Sequence, residues 1–181
     1  MKITVEPLSQ HPRLVPVAAG WHFREWGHTD PGGSLETWTT ALAGQARADR
    51  IPGTLIALAD GSPTGVVCLI EHGMPGHELA APLTPWIKGL YVVPELRRRC
   101  EAWAASLGYH DLYLYTRQRS EAEALYESLG RQATHRVHYE GVRVTVMRNG
   151  VSPRRSAPVR LRPRLKVVDL PWVGFMHGSR R

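Results

Sequence analysis

The residues of this chain best suited to chemistry lie between positions 85 and 130. Three consecutive arginines, Arg97, Arg98 and Arg99, follow an apolar strand pattern, and clustered guanidinium groups bind phosphate or carboxylate groups. Tyr126 lies in a later helical pattern, where a phenol that keeps its proton at neutral pH can donate it to a developing anion. This order predicts a site for an anionic cofactor between two parallel strands.

The elements that position these groups follow from the periodicity of the apolar residues. We predict strands at 3–5, 54–59, 65–71, 86–93, 112–116, 137–139 and 142–147, and helices at 10–26, 34–46, 100–107 and 122–129. Hairpins come first and last, and a strand, a helix and a strand lie between them. The order predicts the α/β class, with a mixed sheet, helices on both faces and a central parallel β-α-β crossover.

The charge of the chain is unevenly distributed. Residues 149 to 181 contain eight Lys or Arg side chains and one acidic side chain, which accounts for the whole formal net charge of +7. We expect one globular domain at residues 1 to 148 and a basic, Arg/Pro-rich tail at 149 to 181, which its composition predicts to be disordered. Any nucleic-acid binding that the high isoelectric point suggests depends on this tail.

The composition argues against several other classes of protein. The longest aliphatic run, residues 66 to 70, is too short to span a bilayer, and the alternating N-terminus predicts a first strand and not a signal peptide. Two cysteines, Cys68 and Cys100, do not make a disulfide framework, so we expect a cytoplasmic protein. The histidines and cysteines lack metal-ligand spacing, so we expect no metal.

Three segments of the chain resemble the GNAT acyltransferases, the Gcn5-related N-acetyltransferase superfamily. They are GLYVVPELR at 89–97, LYLYT at 112–116 and ALYESLG at 124–130. The first resembles the family's cofactor-binding strand, and the last resembles the helix that carries the family's tyrosine. The resemblance implies a GNAT-like fold over residues 1 to 148. It also implies transfer of an acetyl group from acetyl-CoA to a primary amine by direct attack.

The resemblance further implies roles for individual residues. The strand segment Leu90, Tyr91 and Val92 would bind the cofactor, and a backbone N–H within it would stabilise the developing oxyanion. Tyr126 would give a proton to the leaving thiolate. The alternative for Tyr126 is packing in the core. The cofactor would need a gap between the two parallel strands, which we expect at Tyr91 and Tyr113.

The segment that would bind the pyrophosphate departs from the family's pattern. GNAT proteins that resemble this chain carry Arg/Gln-x-x-Gly-x-Gly/Ala after the strand, and here the aligned residues read RRRCEA. Arg97 and Ala102 fit, but Cys100 replaces a glycine and Glu101 places negative charge beside an anion. The three arginines either bind phosphate by charge or form a solvated basic turn. Because the crossover is also short, we expect reduced cofactor affinity.

The general base is sought in the loop after the third strand, where an acceptor amine would approach. Glu71, His72, His77 and Glu78 lie there, and Glu78 is the preferred base. The alternative for all four side chains is a solvated surface. We expect a small-molecule or peptide amine as acceptor, no membrane partner and an unspecified oligomeric state. The alternatives to an enzyme are an inactive remnant of the fold that acts as a binding protein, or a nucleic-acid-associated protein acting through its tail.

Overall fold

The computed structural model describes residues 2–89 and 94–151. The predictions at Leu90, Tyr91 and Val92, and those for the tail from residue 152 onward, lie outside the described residues. The strands are β1 (Ile3–Pro7), β2 (Gly53–Ala59), β3 (Ser62–Ile70), β4 (Trp86–Lys88), β5 (Asp111–Arg117), β6 (Gln132–Tyr139) and β7 (Val142–Gly150). The α-helices are α1 (Val15–Trp26), α2 (Leu35–Gly44), α3 (Pro94–Ser106) and α4 (Glu121–Ser128).

The predicted α/β architecture is confirmed. The described strands form one sheet in the order β1-β2-β3-β4-β5-β7-β6. β4 and β5 pair in parallel and α3 connects them, whereas the other neighbouring strands pair antiparallel. The central parallel crossover is therefore present, and the strands on each side of it pair antiparallel.

The helices cover both faces of the sheet, and alternation along β3 shows how. Val66 and Cys68 pack in one cluster with residues of α1 and α2, such as Ala18 and Leu42. The intervening Val67 packs in a second cluster, to which α3 and α4 contribute. Because successive strand residues point to opposite faces, α1 and α2 lie on one face and α3 and α4 on the other.

The start of α2 follows from its sequence as predicted. Ser34 caps the helix: the backbone N–H of Thr37 donates to Ser34 Oγ at 3.1 Å, and the N–H of Ser34 donates to Thr37 Oγ1 at 2.9 Å. These reciprocal bonds satisfy donors that would otherwise have no partner at the helix end. Trp38, in the first turn, is then directed into the core, where it is buried.

The start of α3 differs from the prediction. The helix begins at Pro94, six residues before the predicted start at Cys100, so the arginines lie in a helix and not in a turn. Proline is favoured at the first helical position, where its missing N–H needs no partner, and Glu95 adds negative charge in the first turn. The 13 residues of α3 extend about 20 Å at a rise of ~1.5 Å per residue.

Strand β6 is longer than predicted, because most of it has no apolar pattern. It begins at Gln132, and residues 132 to 136 are all exposed at the edge of the sheet. Cys68 and Cys100 are both buried free thiols. Within the described ranges, no helix has the length and apolar character needed to cross a membrane.

Candidate active site

The candidate site lies where β4 and β5 separate. The N–H of Tyr113 donates to the carbonyl of Pro85 at 3.0 Å, and Trp86 is paired with Tyr113. Over the described residues, this is the single pair in the parallel ladder, although β5 continues to Arg117. Among the described residues, main-chain pairing between β4 and β5 does not continue beyond Tyr113. The expected gap at Tyr91 stays a prediction, since that residue is not described.

A histidine on α1 holds the end of β4. Nε2 of His22 lies 3.1 Å from the carbonyl oxygen of Gly89, which can only accept, so Nε2 carries the proton and donates. Burial lowers the pKa of His22 to about 4, and the imidazole is therefore neutral at neutral pH. Gly89 has a φ of 63°, and a Cβ there would lie 2.6 Å from Nε2. Glycine is required at this contact.

Helix α4 places Tyr126 deep in the protein. Ser120 caps the helix by accepting a 3.2 Å hydrogen bond from the N–H of Glu123, and Gly130, with a φ of 82°, follows its end. Tyr126 is 1% exposed, and its hydroxyl has no hydrogen-bond partner among the described residues. Burial raises the pKa of Tyr126 well above its ordinary value. The phenol therefore keeps its proton at neutral pH, as a proton donor must.

The three arginines of α3 are in different states. Arg97 donates to Glu101 at 2.9 Å, one turn along the helix. Arg98 forms a second ion pair, with Glu95. Arg99 is exposed to solvent. Two of the three guanidinium groups are thus already paired with carboxylates of their own helix, and Arg99 is the better placed to attract an anion.

The backbone of α3 also limits phosphate binding at the aligned segment. Arg98 to Ala102 lie beyond the first helical turn, where each N–H is bonded to a carbonyl four residues earlier. Ala102 itself is exposed. A cradle of free N–H groups therefore does not form at these positions. Any contribution from Arg97, Arg98, Arg99 or Ala102 to cofactor binding depends on side chains.

A polar cluster behind α3 was missed by the sequence analysis. Besides Arg97, Glu101 accepts from Asn149 Nδ2 at 3.0 Å and lies 3.9 Å from an Arg131 guanidinium nitrogen. Arg131 is 4% exposed, and its guanidinium lacks hydrogen-bond partners over the described ranges. It lies 5.7 Å from the centre of the Tyr126 ring. The negative charge of Glu101 is therefore directed at this cluster, because three cationic or amide groups surround its carboxylate.

A pocket of about 770 Å³ opens beside the end of β3 and the loop that follows it. The structure brings the four predicted base candidates together in its lining: Glu71, His72, His77 and Glu78. Glu78 begins a short helical turn, Glu78–Ala80, and its side chain is exposed. The loop is held over Trp86, whose Nε1 donates to the carbonyl of Leu83 at 2.6 Å.

Lys88 also lines this pocket, and the sequence analysis did not name it. It is the last residue of β4 and lies opposite Cys68 of β3. Burial lowers the pKa of Lys88 to about 8, against the smaller opposing effects of the Cys68 thiol and the Glu140 carboxylate. The signal that could have identified it is alternation: Lys88 shares a face with Trp86, and a lysine there interrupts an otherwise apolar strand.

Comparisons with known proteins reveal the fold. No protein-family model and no curated protein matches the sequence. Solved structures do match, among them an acetyltransferase of the GNAT family from Streptococcus pneumoniae, with 16% identity, a TM-score of 0.56, and coverage of 83% of this chain and 100% of that one. An aminoglycoside 6'-acetyltransferase of type Ii is 16% identical and has a TM-score of 0.61. The alignment covers 86% of this chain and 100% of that one.

A third match is the acetyltransferase YncA of Salmonella typhimurium, solved with its cofactor acetyl-CoA. It is 14% identical, has a TM-score of 0.60, and the alignment covers 85% of this chain and 96% of that one. All three matches extend over nearly the whole of the known structure. The chain therefore has the fold of the GNAT acetyltransferases, as its sequence resemblance predicted.

Acetyl-CoA, the cofactor of that fold, can be tested against the described residues. The described residues of β4 pair with β5 only at Trp86 and Tyr113. The buried hydroxyl of Tyr126 has no hydrogen-bond partner among these residues. Fewer cationic groups are available to the phosphates, because Arg97 and Arg98 are paired with carboxylates and Arg99 alone of the three arginines is exposed. The residues fit the thioester end better than the phosphate end.

Proposed function

We propose that this chain is an N-acetyltransferase that moves the acetyl group of acetyl-CoA to a primary amine by direct attack. The observation that carries the proposal is the end of main-chain pairing between β4 and β5 at Trp86 and Tyr113, on a GNAT fold. A gap at that point is where a pantetheine arm would lie. When bound, acetyl-CoA supplies an activated acetyl group, and the protein need only orient the amine and manage protons.

The residues that we assign to the cofactor come from the segment that follows β4 and from helices α3 and α4. The backbone of Leu90, Tyr91 and Val92 is proposed to hold the pantetheine arm and to supply an oxyanion donor. Tyr126 is proposed to protonate the departing sulfur, since burial keeps its pKa above neutral pH. Arg99, the exposed arginine, is proposed to attract the phosphates, with Arg97, Arg98 and Ala102 as weaker contributors.

We propose that the acceptor enters through the 770 Å³ pocket, on the face of the sheet that α1 and α2 cover. Its volume suits a small molecule or the end of a peptide. The solved aminoglycoside acetyltransferase with this fold acts on a small amine-bearing molecule, which supports a small acceptor here. Glu78 and Lys88 both line the pocket and are the two candidates for the base that takes the acceptor's proton.

We further propose that the affinity for the cofactor is reduced relative to an intact pyrophosphate cradle. The support is the helical backbone of Arg98 to Ala102 and the ion pairs of Arg97 and Arg98. Side-chain binding in place of backbone N–H groups would be weaker and more sensitive to salt. The same observations favour the second candidate, an inactive remnant of the fold that acts as a binding protein.

One pair of measurements tests these proposals. Release of free thiol from acetyl-CoA over a panel of amines should exceed the rate without protein, and Tyr126→Phe should lower kcat by about 10²- to 10⁴-fold. Calorimetric titration with CoA should give a dissociation constant weaker than micromolar that weakens further with salt. Absence of turnover with every amine would contradict the enzyme and support the remnant. Micromolar binding would contradict only the reduced affinity.

A further inference from the structure

Lys88 occupies a special position relative to the gap. It lies two residues after Trp86, the last described residue of β4 that pairs with β5. Because side chains alternate along a strand, Lys88 and Trp86 share one face of the sheet, and Ile87 points to the other. Lys88 lines the 770 Å³ pocket. Lys88 therefore lines the pocket that we assign to the acceptor, two residues from the described pair of β4 and β5.

Charged and titratable groups face Lys88 from several elements. His22 on α1 and Cys68 on β3 both interact with it electrostatically, and Glu140 reaches it from the turn between β6 and β7. The pocket adds Glu71, His72, His77 and Glu78. Burial outweighs the anionic groups and lowers the pKa of Lys88 to about 8. A sizeable fraction of the amine is then neutral in the pH range in which enzymes work.

We propose that the side-chain amine of Lys88 is the general base that deprotonates the acceptor ammonium. An N–H bond of the acceptor breaks, its electron pair stays on the acceptor nitrogen, and a new N–H bond forms on Lys88 Nζ. The neutral nitrogen then bonds to the acetyl carbon and gives up its second proton to solvent. The carbon–sulfur bond breaks with its electron pair going to the sulfur, which takes the proton that we assign to Tyr126, and Tyr126 recovers a proton from solvent. Lys88 afterwards returns its proton to solvent. This assignment rests on the proposed acetyltransferase function.

Lys88 is preferred to Glu78 because of where each side chain lies. Glu78 is exposed on a loop, whereas Lys88 is half-buried on the strand that borders the gap. A base is most effective when its pKa is near the working pH, and desolvation is the usual means by which proteins bring a lysine into that range.

The kinetic test compares Lys88→Arg, Lys88→Met and Glu78→Gln over pH 6 to 10, with each variant checked for folding by circular dichroism. Arginine keeps the positive charge but cannot act as a base. We expect kcat/KM to fall about 10²- to 10⁴-fold in both Lys88 variants. The limb of the pH–kcat/KM profile near pH 8 should also disappear. Glu78→Gln should retain that limb. Wild-type kcat/KM and an unchanged pH profile in Lys88→Arg would overturn the proposal.

A second measurement needs neither cofactor nor turnover. The chain has three lysines, so trace labelling with acetic anhydride at a series of pH values, read by mass spectrometry, resolves each amine separately. Lys88 should reach half its maximal reactivity near pH 8, about two pH units below the ordinary value for a lysine side chain. Half-maximal reactivity of Lys88 at the ordinary lysine value would overturn the proposal even in an active enzyme. If the wild type transfers no acetyl group, the proposed function fails, and this titration still reports on Lys88.

Discussion

The two faces of the sheet differ where β4 and β5 separate. On the α1 and α2 face, an open pocket presents Lys88 together with carboxylates and imidazoles. On the α3 and α4 face, Leu96, Cys100 and Tyr126 pack in the core with little or no exposure. An open pocket thus lies on one face of the sheet, whereas these three described residues on the other face are packed in the core.

The charges of the two faces differ in the same way. The pocket keeps several ionisable groups at its surface, whereas two arginines of α3 are paired with Glu95 and Glu101. For the function that we propose, this means that ionisable groups line the acceptor pocket, whereas two of the three arginines on the cofactor side are already paired. If activity is limited, the limit is expected at α3 and not at the acceptor pocket.

The largest expected effect concerns the pocket side, at Trp86. Its ring is fully buried, lies 5.7 Å from the ring of Tyr113 and packs under the loop at Gly73, where a Cβ would approach it to 2.4 Å. Trp86→Ala should lower the free energy of unfolding by about 3–5 kcal/mol in urea denaturation, because it leaves a large cavity. Leu35→Ala, at a 47% exposed position, is the control and should change it by less than ~0.5 kcal/mol. A loss below ~1 kcal/mol at Trp86 would mean that the pocket does not depend on this ring.

The second prediction concerns the contact between His22 and the end of β4. The pKa of buried His22 is about 4, against an ordinary value of 6.5, so the unfolded state binds more protons between these values. The stability from a neutral His22 is complete above pH 6.5 and is lost as pH falls through 4. His22→Gln, which keeps an N–H donor for Gly89, removes this titration.

Urea denaturation at pH 7 and pH 4 measures the effect. The stability advantage of the wild type over His22→Gln should shrink by about 3 kcal/mol between the two pH values. His135→Gln removes an exposed histidine and is the matched control, for which no comparable change is expected. An equal pH dependence in wild type and His22→Gln would show that β4 is not anchored by a buried neutral imidazole.

Local patterns predicted the parts of the site that depend on neighbours in the chain. The apolar spacing and Gly130 defined the helix that carries Tyr126, and Ser34 was predicted as the cap of α2. The pocket residues around Glu78 were predicted because they share one loop. In each of these cases, the interactions that decide the structure lie within a few residues in sequence, where periodicity and capping are informative.

The parts that were missed depend on distant contacts. The polar run of arginines hid the early start of α3, because it lacks an apolar stripe and gains its ion pairs only once helical. Arg131 is buried beside Glu101 of α3 and the ring of Tyr126 of α4, a combination that no local pattern shows. Lys88 becomes chemically distinct only because β3 and the loop at 72–81 enclose it. Burial by remote segments, and not composition, sets these properties.

The third prediction tests whether the α3 and α4 face is strained by its buried cation. The guanidinium of Arg131 has one carboxylate at 3.9 Å and no hydrogen bonds within the described part of the chain, so its desolvation is poorly offset. Arg131→Met should therefore raise the free energy of unfolding by about 1–2 kcal/mol. Glu101 keeps its bonds to Arg97 and Asn149 in this variant. Exposed Arg143→Met is the control and should be nearly neutral.

A destabilised Arg131→Met would reverse the interpretation of this face. It would mean that the guanidinium contributes more through Glu101 and the Tyr126 ring than its burial costs. The α3 and α4 face would then contain a polar cluster that stabilises the fold. Its difference from the pocket face would not indicate a loss of function. A double-mutant cycle of Arg131→Met and Glu101→Gln would isolate the ionic contribution, because salt screens a buried pair too little to reveal it.

The smallest expected effect is at the ion pairs of α3. Glu95→Gln removes the carboxylate that holds Arg98, which leaves that guanidinium available to a phosphate and removes a nearby negative charge. Calorimetric titration should show CoA binding about two- to fivefold tighter at low salt, the effect that a partly exposed pair can give, and the gain should fade at high salt. Glu127 is exposed on α4, and Glu127→Gln, which makes the same change in net charge, is the control. Equal gains in both variants would trace the effect to net charge alone, because only Glu95→Gln releases an arginine of α3.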